Sequence, residues 1–272
     1  MAAAQVAPDV TRAPSTDRLV GAVRDAAARG AQLVVLPELA PSGYCFLDRE
    51  EAWAAGEALD GPSVTALRHV SEERSVTVVA GLPLREGDDL FNAAVVVEDG
   101  EVLGVYRKSH LWAREKLLFT PGEQGPLVVS TRCGMVAVVV CYDLEFPELV
   151  RVAAEAGAEI VAAQVNWPNL DHPTDQLPIE VVKAQAAAAY YGVHVVVADR
   201  YGDERGTRWL GGSCIIGPSG YLVAGPATLP GQPADEALLL ADIDPADSRA
   251  KSLGDHNDRL LDRRESLYSR RI

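Results

Sequence analysis

Three side chains of this 272-residue sequence end short apolar, Val-rich runs, and together they could do acyl chemistry. Leu33-Val34-Val35-Leu36-Pro37 runs into Glu38, Val105-Tyr106-Arg107 into Lys108, and Met135 to Val140 into Cys141. In open α/β layers, side chains at strand ends project from a rigid sheet into a crevice. A thiol of pKa ~8.5 is mostly protonated near neutral pH, so attack on a carbonyl carbon needs a base or a positive field beside it. Glu38 suits the base and Lys108 the field. Lys108 and the backbone N–H of Tyr142 are the candidates for holding the oxygen that turns negative, a contribution of roughly 3–4 kcal/mol. Singly, a Cys after a Val run is more often a packed small hydrophobe, and a lone Glu or Lys a cap or solvated group. It is the combination of the three that carries the reading.

The elements that must position them alternate. Helices are expected over Asp17 to Ala28, Ser63 to Arg74, from Pro147 onward and over Pro178 to Tyr191, the first stopping at Gly30. Buried strands are expected at Gln32 to Leu36, Val76 to Ala80, Met135 to Val140, Ile160 to Gln164, Val193 to Ala198 and Ala237 to Ile243. Phe91 to Val97 and Val102 to Arg107 read as a hairpin around Asp99-Gly100, and Ser213 to Ile216 with Tyr221 to Ala224 as another. Many strands and few helices suit two packed sheets covered outside by helices, an α/β class. No linker or repeat marks a boundary, so one domain over 1–272 is expected, with the charged stretch 246–272 as a C-terminal arm or tail.

The segments LVVLPELAPSGY, YRKSHLW and VVVCYDLEFPE resemble, in order and spacing, the three signature blocks of the nitrilase (carbon–nitrogen hydrolase) superfamily, over essentially the whole chain. The resemblance implies a four-layer α-β-β-α sandwich of two mixed sheets and a Glu38–Lys108–Cys141 triad. It also implies no metal or organic cofactor, and a homodimer or higher homo-oligomer formed through a helical face. Glu115 stands where many members carry a second glutamate, which could orient Lys108 or position substrate or water. Cys141-Tyr142-Asp143 is similar to the amidase and carbamoylase pattern, where nitrilases usually show Cys-Trp-Glu. The expected reaction is hydrolysis of a small amide through a cysteine thioester, giving ammonia and a carboxylic acid. Hydrolysis of small nitriles or N-carbamoyl amines, and acyl transfer to an amine, are the alternatives. A non-catalytic binding protein on the same sandwich would predict damage to the triad, which is intact. NDRLLDRRESLY, from Asn257 to Tyr268, resembles the tail that stand-alone members pack across a partner subunit.

Pocket walls should come from the loops beside the triad: Tyr44 and Phe46 after Glu38, Trp112 after Lys108, and Asn166-Trp167-Pro168 in what the resemblance makes a substrate-facing loop. His172 and Asp175 could line the entrance or cap the next helix. Arg114 and Arg200 could grip a carboxylate, but surface use is expected of both.

Composition narrows the partners. Apolar residues are 48% and charged residues 24%, enough to bury a core. With 25 Lys and Arg against 39 Asp and Glu, the net charge of −14 opposes nucleic acid binding. The pairs Arg263-Arg264 and Arg270-Arg271 are expected on a solvated tail. Four dispersed cysteines make no disulfide framework or C-x-x-C motif, the start lacks a signal-peptide pattern, and no apolar run is long enough to span a bilayer. A cytoplasmic protein without a membrane partner is the expectation. Five scattered histidines do not suggest a metal site, Gly211-Gly212-Ser213 lacks phosphate-loop spacing, and Gly217-Pro218-Ser219-Gly220 reads as a turn, not a serine nucleophile elbow.

Overall fold

The computed structural model describes residues 1–8, 16–170, 173, 175–229 and 231–268. His172, Arg270 and Arg271 lie outside the described residues. Strand β1 (Ala2–Gln5) is followed by α1 (Thr16–Ala28), β2 (Leu33–Val35), α2 (Arg49–Ala55), α3 (Pro62–Arg74) and the meander β3 (Thr77–Glu86), β4 (Asp89–Glu98) and β5 (Glu101–Arg107). A single turn, α4 (Glu115–Leu118), leads to β6 (Leu127–Thr131), β7 (Gly134–Val140), α5 (Pro147–Glu155), β8 (Ile160–Gln164), α6 (Ile179–Tyr191) and β9 (His194–Ala198). After a two-strand ribbon of β10 (Asp203–Glu204) and β11 (Thr207–Arg208) come β12 (Cys214–Ile216), β13 (Leu222–Ala224) and β14 (Ala237–Leu240), then a ribbon of β15 (Ser252–Gly254) and β16 (Asn257–Asp258).

Twelve of these strands form two six-stranded sheets, ordered β14-β1-β2-β3-β4-β5 and β13-β12-β9-β8-β7-β6. Both are mixed: β1, β2 and β3 are parallel, as are β7, β8 and β9, while the flanking strands run antiparallel. Alternation along each strand decides which side chain meets which layer. In the first sheet Ala3, Leu33, Val35, Val79, Ala94 and Val96 join a core shared with the second sheet. Their neighbours Ala2, Ala4, Val34, Val78, Val95 and Val97 pack the other way, against Leu19 and Val23 of α1 and Leu67 and Val70 of α3. Val150 and Ala153 of α5 and Val181, Ala184 and Ala188 of α6 cover the second sheet. The architecture is therefore α-β-β-α, with both sheets buried on both faces, and each fully buried Val contributes roughly 1.5–3 kcal/mol.

Several elements go beyond the sequence expectations, among them β1, α2 and β6. β1 lies inside its sheet, between β14 and β2. α2 is a seven-residue helix whose Asp48 cap accepts from the Glu51 N–H at 2.9 Å. β6 pairs along the edge of β7. The C-terminal stretch is tied down by several contacts, among them Ser248 Oγ donating to the Glu159 carbonyl (2.7 Å), Lys251 Nζ to the Gly192 carbonyl (2.9 Å) and Arg259 Nε to the Ala189 carbonyl (3.0 Å). Among the described residues, no helix is long and apolar enough to cross a membrane.

Candidate active site

Strand direction explains why distant residues meet. β2 is parallel to β3, and the two antiparallel steps from β3 through β4 to β5 restore the original direction. Glu38, beyond β2, and Lys108, beyond β5, therefore leave the same edge of one sheet. Cys141 leaves β7 in the facing sheet. Beside it, β8 leads to Asn166, whose Nδ2 donates to the Glu38 carbonyl at 3.0 Å and ties the two sheets' ends together. The turn carrying Glu38 sits directly on β3: Gly81 N–H donates to the Pro37 carbonyl and Ala40 N–H to the Gly81 carbonyl, at 3.2 and 2.8 Å.

At the centre is a fully buried charged trio. Lys108 Nζ donates to Glu38 Oε1 at 2.7 Å and to Glu115 Oε1 at 2.8 Å. Asn92 Nδ2 donates to Glu38 Oε1 at 2.7 Å, Tyr44 OH to Glu115 Oε1 at 2.5 Å, and Trp112 N–H to Glu115 Oε2 at 2.9 Å. Glu38 Oε2 is buried and, among the described residues, has no hydrogen-bond partner. Cys141 opens a 3-10 turn, Cys141–Glu145, with φ at +48°, a left-handed conformation that is strained for a residue with a Cβ. Asp143 pins that turn: its carboxylate accepts from Val140 N–H (3.0 Å), Tyr106 OH (2.8 Å) and His110 N–H (3.0 Å). The Cys141 thiol points to the Asn166 carbonyl at 4.0 Å, and the residue keeps 9% of its surface exposed. The N–H of Tyr142 falls in the first residues of the turn, where no partner exists within the turn itself.

Electrostatics sets the resting protonation. Burial lifts the Glu38 carboxyl to about 7, against the pull of Lys108. Burial pushes the Lys108 ammonium down, but Glu38 and Glu115 outweigh it and hold the group above its ordinary value. The Cys141 thiol is driven well above its usual range by burial and by the charge of Glu38, with Lys108 opposing. The site thus rests as a thiol beside an ammonium and a carboxyl that ionises near neutrality. That is a poised base with an unactivated nucleophile.

A cavity of about 460 Å³ reaches the trio at Glu115, with Tyr44, Phe46, Trp112, Leu118, Pro168 and Trp209 in its walls and Asn166 also lining it, while Glu38, Lys108 and Cys141 lie behind the lining. Trp112 is partly exposed at the rim, its ring edge-on to Tyr142 at 4.8 Å. Trp167 is not in the wall: it is buried close to Gly212, and its N–H is held by Asp199 Oδ1 at 3.0 Å. Asp175 is exposed and away from the cavity lining. Arg114 lines the mouth and donates to the Leu47 carbonyl at 2.6 Å.

Arg200 corrects the expectation of a surface arginine. It is fully buried, pairs with Glu204 at 2.7 Å and lies over the Trp209 ring at 4.6 Å. Glu204 in turn accepts the N–H groups of Tyr44 (3.1 Å) and Cys45 (3.0 Å), so this ion pair shapes the loop that delivers Tyr44. Asn92, Trp209 and Glu204 were not singled out from sequence. The one signal for Asn92 was an amide interrupting an apolar strand, which a buried position tolerates only with a partner. Among the described residues, no group of three or more His, Cys, Asp or Glu side chains could hold a metal ion.

The sequence profile described as Carbon-nitrogen hydrolase matches residues 1–251. The chain belongs to the carbon–nitrogen hydrolase family. This hydrolase is 36% identical over 249 residues to a protein of Pyrococcus abyssi (strain GE5 / Orsay) named nitrilase, covering 91% of this chain and 90% of the relative. It is 28% identical over 271 residues to N-carbamoylputrescine amidase of Solanum lycopersicum, covering 93% and 88% of the two chains. The amidase of Nesterenkonia sp. AN1 superposes with a TM-score of 0.77 at 29% identity, covering 98% of this chain and 97% of that one. The structure compared is a variant that shows the result of Michael addition of acrylamide at its active-site cysteine.

Proposed function

We propose that this carbon–nitrogen hydrolase cleaves small amides through a thioester on Cys141, releasing ammonia and a carboxylic acid. The observation that carries the reading is the buried Lys108 bridging Glu38 and Glu115 at 2.7 and 2.8 Å, electrostatically coupled to a cysteine held in a left-handed turn. Glu38 Oε2 accepts the thiol proton as sulfur bonds to the carbonyl carbon. The oxygen that becomes negative is held by Lys108 Nζ and the Tyr142 N–H. Collapse of this intermediate breaks the C–N bond as Glu38 returns the proton to the leaving nitrogen, freeing ammonia. Water then adds to the thioester, giving its proton to Glu38, and the departing sulfur recovers it, restoring the thiol and freeing the acid. Glu115 holds Lys108 in place. The aromatic and aliphatic walls favour an acyl group with an apolar body, with Tyr44, Trp112 and Asn166 as its contacts.

The Pyrococcus relative keeps nitriles as a second reading, because thiol addition to a nitrile uses the same groups. One experiment separates the classes: ammonia release from matched amides, nitriles and N-carbamoyl amines by wild type and Cys141→Ala, with intact-mass detection of adducts. Amide-dependent ammonia and an acyl adduct, both abolished in the variant, are expected. Equal release by the two proteins overturns the proposal.

We also read the chain as one domain with residues 246–272 as an arm, assembling as a homodimer. Exposed Val152 on α5 and Ile179, Val182 and Tyr190 on α6 support that reading, since they leave an apolar face unpaired.

A further inference from the structure

We infer that Asn92 is a positioning residue that makes Glu38 a one-oxygen base, occupying Oε1 together with Lys108 so that Oε2 alone is left to take the Cys141 proton. The inference rests on the thioester chemistry proposed above. Asn92 lies on β4, between the strand that supports the Glu38 turn and the strand that ends in Lys108. It is fully buried. Its side-chain Nδ2 is 2.7 Å from Glu38 Oε1 and 3.5 Å from Glu115 Oε1, and its backbone carbonyl accepts the Lys108 backbone N–H at 2.9 Å. One residue therefore contacts both carboxylates and the backbone of Lys108.

A carboxylate can present either oxygen by rotating its plane. Two donors on Oε1, Lys108 Nζ at 2.7 Å and Asn92 Nδ2 at 2.7 Å, remove that freedom and leave Oε2 without a partner. The other end of the amide supports a specific purpose, because Asn92 Oδ1 is buried and has no partner among the described residues. An unsatisfied buried oxygen is costly, and the Val-rich strand around it would accept a leucine. Being neutral, Asn92 donates without adding a second cation, so the balance among Lys108, Glu38 and Glu115 is unchanged. Its donation also favours the ionised form of Glu38 against the effect of burial.

The test uses the full chain as wild type, Asn92→Leu, Asn92→Asp and Glu38→Gln. Two readouts are taken from pH 5 to 9.5: kcat/KM on the best amide of the panel above, and alkylation of Cys141 by iodoacetamide, followed by peptide mass. Asn92→Leu should move the acid limb of both profiles up by about one pH unit, a roughly tenfold loss at pH 6 that shrinks toward pH 9.5. Asn92→Asp is nearly isosteric, so it is the arm to read if the leucine variant fails to fold. It sets a carboxylate against Glu38 and should move the limb at least as far. An unmoved limb, or a loss equal at every pH, overturns the inference, since a purely structural role would produce it. Glu38→Gln isolates the underlying reading: if that variant keeps wild-type turnover, the base assignment itself falls.

Discussion

Replacing Gly81 by alanine is a steric probe of how Glu38 is placed. Gly81 does not have a left-handed backbone, so alanine meets no conformational barrier there. A Cβ would, however, lie 2.6 Å from Glu38 Cα and 2.8 Å from both Leu39 N and the Pro37 carbonyl oxygen. Carbon contacts settle near ~3.5–4.0 Å, so the Glu38 turn or β3 must yield by about 1 Å. The obstacle is backbone on both sides and cannot swing away. Overpacking of this kind costs roughly 1–3 kcal/mol in stability, and a 1 Å error in a catalytic group costs about 10²-fold in rate. The expected result is a folded enzyme with kcat/KM down about 10²-fold and a modestly lower Tm, measured by ammonia release and thermal unfolding. Gly21→Ala is the control. It lies in α1 with nothing within 4 Å of the added carbon, and should raise stability by about 0.5–1 kcal/mol without touching turnover. Gly81→Ala turnover within twofold of wild type would refute the claim that this close approach sets the Glu38 position.

Two further outcomes follow from the buried groups. Glu38 must be ionised to accept a proton and burial lifts it to about 7, so kcat/KM should fall about tenfold per unit below pH 7 and level off above it; a flat profile from pH 5 to 8 would contradict the base assignment. Arg200→Met leaves the Glu204 carboxylate buried without its cation, with an expected loss of about 3–5 kcal/mol in chemical denaturation, and adding Glu204→Gln should recover part of it. An unchanged midpoint in the single variant would show that the pair carries no such weight.

What the sequence made legible was whatever repeats locally. Ile160–Gln164 was bounded correctly because a continuous apolar run between a helix and a polar loop has one reading. The strand ends at Lys108 and Cys141 were visible for the same reason. β1 was not, because Ala2-Ala3-Ala4 carries little strand preference, and its place between β14 and β2 comes from partners far along the chain. α2 did leave a mark, Asp48 three residues before Glu51, a short helix start that a search for long apolar periodicity passes over. Arg200 read as solvated because its partners, Glu204 and Trp209, mean nothing until the chain folds over them. The same holds for Trp209 as a cavity wall and for Trp167 turned away from it. A loop's sequence names which side chains are near a site, but not which of them face it.

Two carboxylates around one ammonium leave this interior with a surplus of one negative unit once Glu38 is ionised. In the reaction proposed above, passing the thiol hydrogen to Glu38 only relocates that unit onto sulfur, and returning it relocates it again. Turnover can therefore proceed with the electrical content of the chamber held constant. No sodium or chloride needs to follow the reaction in or out.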